Sequence, residues 1–410
     1  AKLYRAANRD ADADAVLAPA VEGFPPTEQF PELTEAQGLL AGLSESDTVK
    51  SARTRELASR EEDASERFST YYSLWGGHLS RGEPAPMREM AEHSLREATA
   101  RPNCPETLIA HRNCGFTCWY FGDFARAHDH FEKTLKLYDR ARHGDFANRF
   151  GQDPGAGVEI GDALMLWVLG RIDEALPLAD RALSDADSAA HAPTMGYVLS
   201  FAARLGLIRY NSDAVATYSR SLANVVSRYD LPALWASAAV FYQGWAKRPD
   251  GAEEWRLAEM RRGLAAYREQ GRNWLLSTLE AALAEAEASA GETDTGLRRL
   301  DDALAELERT EARWYEAEMH RVRGEILLKR DPANPAPAEQ ALQAAIAIAH
   351  SQNARSFELR AALSLAKLYC AANRDADAHA ALAPAVEGFP PTQQFPELPE
   401  AQALLSALWS

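Results

Sequence analysis

The sequence predicts an all-α protein, a right-handed α-solenoid of about eight helical hairpins with a period of about 40 residues. Three observations support this fold class. Ala, Leu, Glu and Arg dominate the chain, and apolar residues recur at the i, i+3, i+4 and i+7 spacing of amphipathic helices. Short breaks interrupt the helical stretches at a nearly constant interval. The two ends of the chain repeat each other.

The duplicated ends are residues 1–43 and 366–408, which differ at only eight positions. Two interpretations of this repeat stay open. One is a segment duplication that supplies a helical cap. The other is a tandem of units of about 365 residues, in which Ala1 lies inside the last repeat of an upstream copy. Under either interpretation, the matching ends predict that the chain associates with itself.

The breaks fall at Gly82, Gly122, Gly170, Tyr210, Gly251, Gly291 and Asn373, in steps of 40, 48, 40, 41, 40 and 82 residues. The last step covers two periods, with an unmarked break expected near Asp331. A fixed interval of this length is typical of stacked helix pairs. The longer step of 48 indicates an insertion, which we place at the loop Gly151–Gly155.

The elements are expected in the following order. Residues 1–43 form a partial duplicate of the C-terminal repeat and capping helix, and 44–69 form a linker helix that Ser44 or Ser46 caps. Residues 70–388 form the solenoid. Residues 389–410 form a proline-rich connector and a capping helix, because prolines hold the preceding backbone extended. A ligand for a proline-recognition domain is the alternative for this last segment.

The clearest hairpin is predicted at 108–141. Gly115 allows the two helices to approach closely, Gly122–Phe124 make the tight turn, and Ala127 and Phe131 form the inner stripe of the second helix. This pattern of small and aromatic residues resembles the tetratricopeptide repeat (TPR). The resemblance implies an array of TPR-like hairpins.

A longer stretch, about 70–408, resembles the C-terminal region of bacterial adenylate/guanylate-cyclase-linked signalling ATPases. In that family a tetratricopeptide array follows a cyclase or winged-helix domain and an ATPase domain. The stretches that carry the resemblance are Leu137–Asp139, Phe150–Gly155, Gly244–Trp245, Trp314–Glu318, His320–Arg321, Gly324–Glu325, Ser356–Arg360 and Leu382–Pro384. No cyclase or ATPase sequence is present in this chain, so the resemblance implies a regulatory part without the family's catalysis.

Composition excludes several classes of protein. The chain has 410 residues with 60 acidic against 44 basic residues, and this net charge of -16 argues against a nucleic-acid partner. No run of 18 apolar residues occurs, which argues against a membrane span, and no signal peptide is visible. Four cysteines do not make a disulfide framework in a chain this long. We therefore expect a cytoplasmic protein.

The chain lacks the common catalytic and metal-binding signatures. It has no phosphate-binding G-x-x-x-x-G-K-[ST] loop, H-E-x-x-H pair, C-x-x-C pair or G-x-S-x-G elbow. His111, Cys114 and Cys118 share one helical face. They are either a metal or redox site, to which Cys104 would be added, or packing residues. We favour packing, and expect a solvated face for His128 and His130. The prediction is a non-enzyme with no cofactor and no metal, although an enzyme with dispersed residues stays open.

Binding residues are predicted on the first helix of each hairpin, which lines the concave surface of a solenoid. Aromatic and Arg side chains are enriched at binding hot spots, and a row of them suits an extended peptide or a partner helix. A loop that interrupts a regular array is a second place for binding. The candidates are Arg112, Phe116, Trp119, Trp167, Arg204, Trp245, Arg321 and Lys367 on the helices, and Gln152 and Asp153 in the inserted loop.

The sequence therefore predicts a non-catalytic interaction or sensor module of a bacterial signalling protein, which binds a peptide or a protein partner in its concave groove. The alternative is a regulatory solenoid that binds a small-molecule effector in the same channel. The acidic balance of the chain favours a basic or apolar guest.

Overall fold

The computed structural model describes residues 64–101, 103–246, 253–271 and 275–408. These residues form nineteen α-helices and one short 3-10 helix, and no β-strand occurs among them. The chain divides into two compact units at Tyr71 and Tyr72, and the array described below belongs to the second unit. The predicted partial duplicate, 1–43, and residues 44–63 of the predicted linker helix lie outside the described residues.

The helices follow one another in pairs. In chain order they are α1 (Ala64–Arg81), α2 (Pro84–Thr99), α3 (Thr107–Tyr120), α4 (Phe124–Leu137), α5 (Arg140–His143), α6 (Phe146–Phe150), α7 (Pro154–Val168), α8 (Ile172–Ala189), α9 (Ala192–Ile208), α10 (Ser212–Tyr229), α11 (Ala233–Ala246), α12 (Glu253–Glu269), α13 (Leu276–Ser289), α14 (Thr293–Thr310), the 3-10 helix Arg313–Tyr315, α15 (Glu316–Arg330), α16 (Ala336–Ser351), α17 (Arg355–Ala371), α18 (Asp375–Val386) and α19 (Glu397–Ala407).

Stacked hairpins are the architecture of the second unit. The pairs α3–α4, α7–α8, α9–α10, α11–α12, α13–α14, α15–α16 and α17–α18 each pack as a hairpin, and each hairpin also contacts the next one along the chain. Gly82, with φ 68°, makes the turn from α1 to α2. The predicted all-α solenoid of about eight hairpins is confirmed for the described residues.

Left-handed residues form the turns inside the hairpins. Gly82, Gly122, Gly170 and Gly291 have φ between 68° and 92°, a region in which glycine has no Cβ to clash with the backbone. Tyr210 (φ 54°) and Asn373 (φ 56°) occupy equivalent turns. Six of the predicted breaks are therefore helix-ending turns, whereas Gly251 lies outside the described residues. The expected break at Asp331 differs, since this residue has φ -141° and begins a proline-rich turn.

A second series of left-handed residues connects successive hairpins. Ala190, Asp230, Gly271, Glu311 and Asn353 have φ between 49° and 65°. They recur at nearly the same interval as the first series, so each period contains two left-handed helix ends. Most of these positions are not glycine, so the spacing of glycines in the sequence does not predict this second series of turns.

The longer step in the period is explained by two short helices. α5 and α6 lie between α4 and α7, and Gly151 (φ 77°) ends α6. Asp153 then caps α7, because its Oδ1 accepts a hydrogen bond from the amide of Ala156 at 2.9 Å. The predicted insertion is thus a folded connector rather than an open loop.

Close helix approach inside a hairpin depends on small residues. A Cβ on Gly115 would lie 2.5 Å from Cε1 of Phe131, so the aromatic ring of α4 occupies the space beside α3 that a side chain would need. This contact is the one that the 108–141 pattern predicts.

Hairpins that are far apart in sequence also contact one another, and their first helices, α3, α7, α9, α11, α13, α15 and α17, which we call the inner helices, take part in these contacts. The Tyr120 hydroxyl of α3 donates to the carbonyl of Thr310 at the end of α14 at 2.8 Å, and Ser356 Oγ of α17 donates to the carbonyl of Trp167 in α7 at 2.5 Å. The array is therefore wound tightly enough for its turns to pack on each other.

The last segment of the array is a strap, which we define as residues 389–407. Gly388 (φ 69°) separates it from α18, two prolines follow Phe389, and α19 ends it. No helix among the described residues combines the length and the apolar composition that a membrane span requires.

Candidate functional site

Eight of the ten predicted binding residues are buried. Arg112, Phe116, Trp119, Gln152, Asp153, Trp167, Arg204 and Arg321 expose between 0% and 6% of their surface, whereas Trp245 is half-buried and Lys367 is exposed. The tight winding of the array places most inner-helix side chains in its core.

The buried tryptophans belong to the contacts between distant hairpins. The Trp119 ring lies 5.4 Å from that of Trp314, and the Trp167 ring lies 5.7 Å from that of Phe395. These edge-to-face pairs stabilise the packing of α3 against the 3-10 helix and of α7 against the last segment, 389–407. Both side chains hold the fold together and offer no surface to a partner in this structure.

The buried arginines Arg112 and Arg204 are likewise occupied within the core. Arg112 sits over the Phe116 ring at 4.7 Å, and Arg204 donates to the carbonyl of Leu275 at 3.0 Å and to the hydroxyl of Thr278. A buried guanidinium without such partners would be strongly destabilising.

The predicted binding residues of the inserted connector, Gln152 and Asp153, also make contacts within the fold. Asp153 Oδ2 accepts a hydrogen bond from the Tyr138 hydroxyl at 2.5 Å, and the Asp153 amide donates to Thr194 Oγ1 at 2.7 Å. Gln152 packs beside Gly157. These contacts join α4, α7 and α9, so the connector fixes the stacking of three successive hairpins.

Two of the predicted residues, Trp245 and Arg321, do come together beside Tyr210, whereas Lys367 forms an ion pair with Glu400. With Glu285, Glu318 and Glu325 they make a group of six residues, which we call the Tyr210 cluster. The Tyr210 hydroxyl accepts a hydrogen bond from Arg321 Nη2 at 2.6 Å and donates to Glu285 Oε1 at 3.1 Å.

Arg321 organises the carboxylates of the cluster. Its Nε lies 3.0 Å from Glu318 Oε1, and its Nη1 lies 2.8 Å from Glu325 Oε1. Ser364 Oγ donates to the same Glu325 oxygen at 2.7 Å. Burial favours a raised pKa for Glu325, but Arg321 and Ser364 outweigh it and lower that pKa below its usual range.

Glu285 has the opposite balance. Loss of hydration among the surrounding helices raises its pKa from 4.5 to about 7, and the attraction of Arg321 does not offset this effect. Its carboxyl therefore changes charge near neutral pH. The neighbouring Glu325 remains ionised, so the cluster carries a carboxylate at every physiological pH.

A cavity of about 280 Å³ opens beside Tyr210, between the ends of α9, α11, α12 and α13. Its walls are Tyr210, Ser212, Trp245, Glu253, Arg256, Leu257, Ala282, Glu285, Ala286 and Ser289. Arg256 reaches the carbonyl oxygens of Gly244 and Trp245 at 3.3 and 3.4 Å, at the end of α11. Two aromatic rings and two carboxylates suit a positively charged guest group.

Tyr210 is the central residue that the binding prediction missed, although a signal was present. It stands at a turn where four equivalent positions are glycine, and it has φ 54° with a bulky side chain. A left-handed conformation costs an L-residue with a Cβ about 1–2 kcal/mol. Residues in strained backbone conformations of this kind cluster at functional sites, where their side chains make specific contacts.

The His and Cys residues do not assemble a metal site in the described part of the chain. His111 Nδ1 lies 3.0 Å from His130 Nδ1. Cys114 Sγ donates to the carbonyl of Ala91 at 3.4 Å, and burial raises the pKa of this thiol to about 12. A protonated, buried thiol acts as a packing group.

Comparison with known proteins shows the fold. No protein-family model matches the chain. An uncharacterized protein of Rhizobium meliloti (strain 1021) is 25% identical over 324 residues, which cover 78% of this chain and 30% of that protein. The chain thus spans less than a third of the length of this curated relative.

Among solved structures, a Rap protein complexed with Competence and Sporulation Factor has a TM-score of 0.56 and 12% identity, and the match covers 98% of this chain and 99% of that one. A Signal Transduction ATPase with Numerous Domains from Pyrococcus horikoshii, which carries a tetratricopeptide-repeat sensor, has a TM-score of 0.39 and 13% identity, with 97% and 68% of the two chains covered. The array therefore shares its fold, a solenoid of stacked helical hairpins, with the Rap protein. The link to cyclase-linked ATPases is not confirmed.

Proposed function

We propose that this chain is a non-catalytic protein-interaction module that binds a basic segment of a partner protein at the Tyr210 cluster. The observation that carries the proposal is Tyr210 itself. A strained aromatic residue stands at a glycine turn, and it lines an accessible cavity together with a half-buried tryptophan and the carboxylates of Glu253 and Glu285.

The charge of the cavity selects the class of guest. Glu253 and Glu285 line it, and the guanidinium of Arg256 is directed to backbone carbonyl oxygens. The Trp245 ring lies 6.4 Å from that of Tyr210, so a Lys or Arg side chain could contact both. Cation–π contacts of this kind contribute about 0.5–2 kcal/mol.

The size of the cavity favours one side chain over a larger ligand. Sites for drug-sized ligands have volumes of about 300–1,000 Å³, and the cavity here is about 280 Å³. We therefore infer that it holds one basic side chain, while the rest of the partner segment lies along the inner helices. Lys367, 2.7 Å from Glu400, marks the far side of this surface.

The Rap protein with the same fold was solved with Competence and Sporulation Factor bound. This example supports the use of a solenoid of this kind as a receptor. By the resemblance to cyclase-linked ATPases, we further propose that the module regulates a cytoplasmic signalling protein, and that it also associates with itself.

The alternative is a small cationic effector, which the small volume of the cavity, about 280 Å³, favours. Calorimetric titration of the full chain with acetylated tetralysine, tetraglutamate and putrescine separates the two. We expect tetralysine to bind, and Trp245→Ala or Glu285→Gln to weaken it about tenfold, which corresponds to about 1.4 kcal/mol.

Trp255→Ala is the matched control, because Trp255 is also accessible but does not line the cavity. Equal loss in the control, or tighter binding of tetraglutamate, would contradict the proposed site. Putrescine binding as tightly as tetralysine, with the same dependence on Trp245, would favour the effector.

A further inference from the structure

The strap closes the array by contacting two distant elements. Toward the turn between α7 and α8, the Phe395 ring packs 5.7 Å from the Trp167 ring, and Thr392 Oγ1 donates to Asp173 Oδ1 at 2.7 Å. The ring of Phe389 fills the space beside Gly170, where a Cβ would lie 3.2 Å from it.

Toward α17, the strap is held by two arginines. Arg360 Nε donates to Glu397 Oε1 at 2.7 Å, and the Arg355 guanidinium lies 6.0 Å from the Phe389 ring. We call Trp167, Gly170, Asp173, Arg355 and Arg360 the strap seat. Its partners in the strap are Phe389, Thr392, Phe395 and Glu397.

The first copy of the duplicated sequence contains every one of these partners. Residues 24, 27, 30 and 32 are Phe24, Thr27, Phe30 and Glu32, in the same spacing as in the strap. The same holds over the full length of the two copies, 1–43 and 366–408. Each of the ten residues that are buried in the second copy has an identical counterpart in the first. These ten residues are Ala366, Leu368, Tyr369, Ala378, Leu382, Ala385, Phe389, Phe395, Leu398 and Ala401.

None of the eight positions at which the two copies differ is buried in the second copy. In the second copy Cys370, His379 and Ala381 are half-buried, and Gln393, Pro399, Ala403, Ser406 and Ala407 are exposed. The first copy therefore retains the packing and hydrogen-bonding groups that the seat recognises.

We propose that the strap seat of one chain accepts residues 24–42 of a second copy of this chain, in place of its own strap. Exchange of an identical element between protomers is a low-cost route to a dimer, because the same contacts form in both arrangements. Gly388, in the left-handed region with open space around it, provides the hinge about which the strap leaves.

Two differences set the direction of the exchange. The first copy has Gly38 and Gly42 where α19 has Ala403 and Ala407, and glycine is a weaker helix former. The chain's own strap also benefits from the high effective concentration of a tethered segment. The wild-type chain therefore keeps its own strap in the seat at low concentration and exchanges at high concentration.

The test makes the same substitution in one copy at a time, in the full chain. Sedimentation then measures the self-association constant of each variant. Phe30→Ala should weaken self-association about tenfold or more, since a buried phenylalanine is lost from the exchanged arrangement only. Phe395→Ala should strengthen it, because the competing strap is weakened. The double variant Phe30→Ala/Phe395→Ala should return to about the wild-type self-association constant, because both competing copies then lack the same ring.

Thr27→Ala and Thr392→Ala repeat the comparison with a milder change, in case Phe395→Ala does not fold. Glu28→Gln, at a position whose counterpart Gln393 is exposed, is the control and should change nothing. Shifts in the same direction for the two copies, or a monomer in every variant, would overturn the proposal.

Discussion

Replacing Tyr210 by glycine should change the stability of the fold only slightly while it removes partner binding. The residue holds φ 54° in a turn where glycine is the usual occupant, and 37% of its surface is exposed. Its hydroxyl binds Arg321 and Glu285, and its ring lies 5.0 Å from the Arg360 guanidinium. The substitution removes all of these contacts together with the backbone strain.

The opposing contributions are similar in size. Glycine relieves about 1 kcal/mol of left-handed strain. A buried hydrogen bond to a charged group contributes about 1.5–3 kcal/mol, which we reduce to about 1 kcal/mol because the exposed part of Tyr210 lets water replace the hydroxyl. The ring over Arg360 adds about 0.5–1 kcal/mol. The net destabilisation expected for Tyr210→Gly is about 1 kcal/mol.

Tyr210→Phe provides the comparison, because it keeps the strain and the ring and loses only the hydroxyl, again at about 1 kcal/mol. Urea unfolding followed by the helical circular dichroism signal should give similar midpoints for the two variants. Tetralysine titration should show binding lost in Tyr210→Gly and reduced in Tyr210→Phe. Destabilisation of Tyr210→Gly by more than about 3 kcal/mol would refute the strain argument, and unchanged binding would place the site elsewhere.

Three further predictions follow from the contacts described. Gly115→Ala should destabilise the fold by about 1–3 kcal/mol by overpacking, since its Cβ would lie 2.5 Å from Phe131; the control Gly76→Ala, with no atom within 4 Å, should be neutral or stabilising by about 0.5–1 kcal/mol in the same thermal unfolding scans. Trp119→Ala should destabilise by about 3–5 kcal/mol, and a change under about 1 kcal/mol in urea unfolding would show that its side chain is not in the core. The raised pKa of Glu285 contributes stability that is present below about 4.5 and lost as pH rises through about 7. Glu285→Gln should therefore flatten the fall in stability over this range, and in the wild type, affinity for tetralysine should rise over the same range as the carboxyl ionises; parallel pH profiles for the two proteins would contradict the assignment.

The sequence predicts the hairpin array because its turns depend on local chemistry. Gly82, Gly122, Gly170 and Gly291 mark left-handed helix ends, for which glycine is the natural residue. The turns between hairpins escape such a search, because Ala190 and Glu311 adopt the same conformation without a residue type that announces it. The conformation of these turns therefore depends on the packing of successive hairpins and not on the local residue type.

The binding site was predicted only in part for a similar reason. Helical spacing shows that Trp119, Trp167 and Trp245 lie on inner helices, but it does not reveal how tightly the array is wound. Winding brings Trp314 against Trp119 and Phe395 against Trp167, while Trp245 stays at the edge of a cavity. The pitch of a superhelix results from many small contacts between hairpins, and no short motif encodes it.

The contacts between hairpins that are far apart in sequence have a consequence for folding. An open repeat array unfolds piecemeal, because each repeat contacts only its neighbours. Here Tyr120 is bonded to Thr310, and Arg360 Nη1 is bonded to the carbonyl of Ile208 at 2.6 Å, so loss of one hairpin exposes partners far along the chain. Contacts between residues so far apart in sequence also slow folding. The long stretch of chain between them must close into a loop before the contact can stabilise it. The array is a solenoid in its connectivity, but in its cooperativity it resembles a globular domain, from which no single repeat can be removed without disturbing the whole.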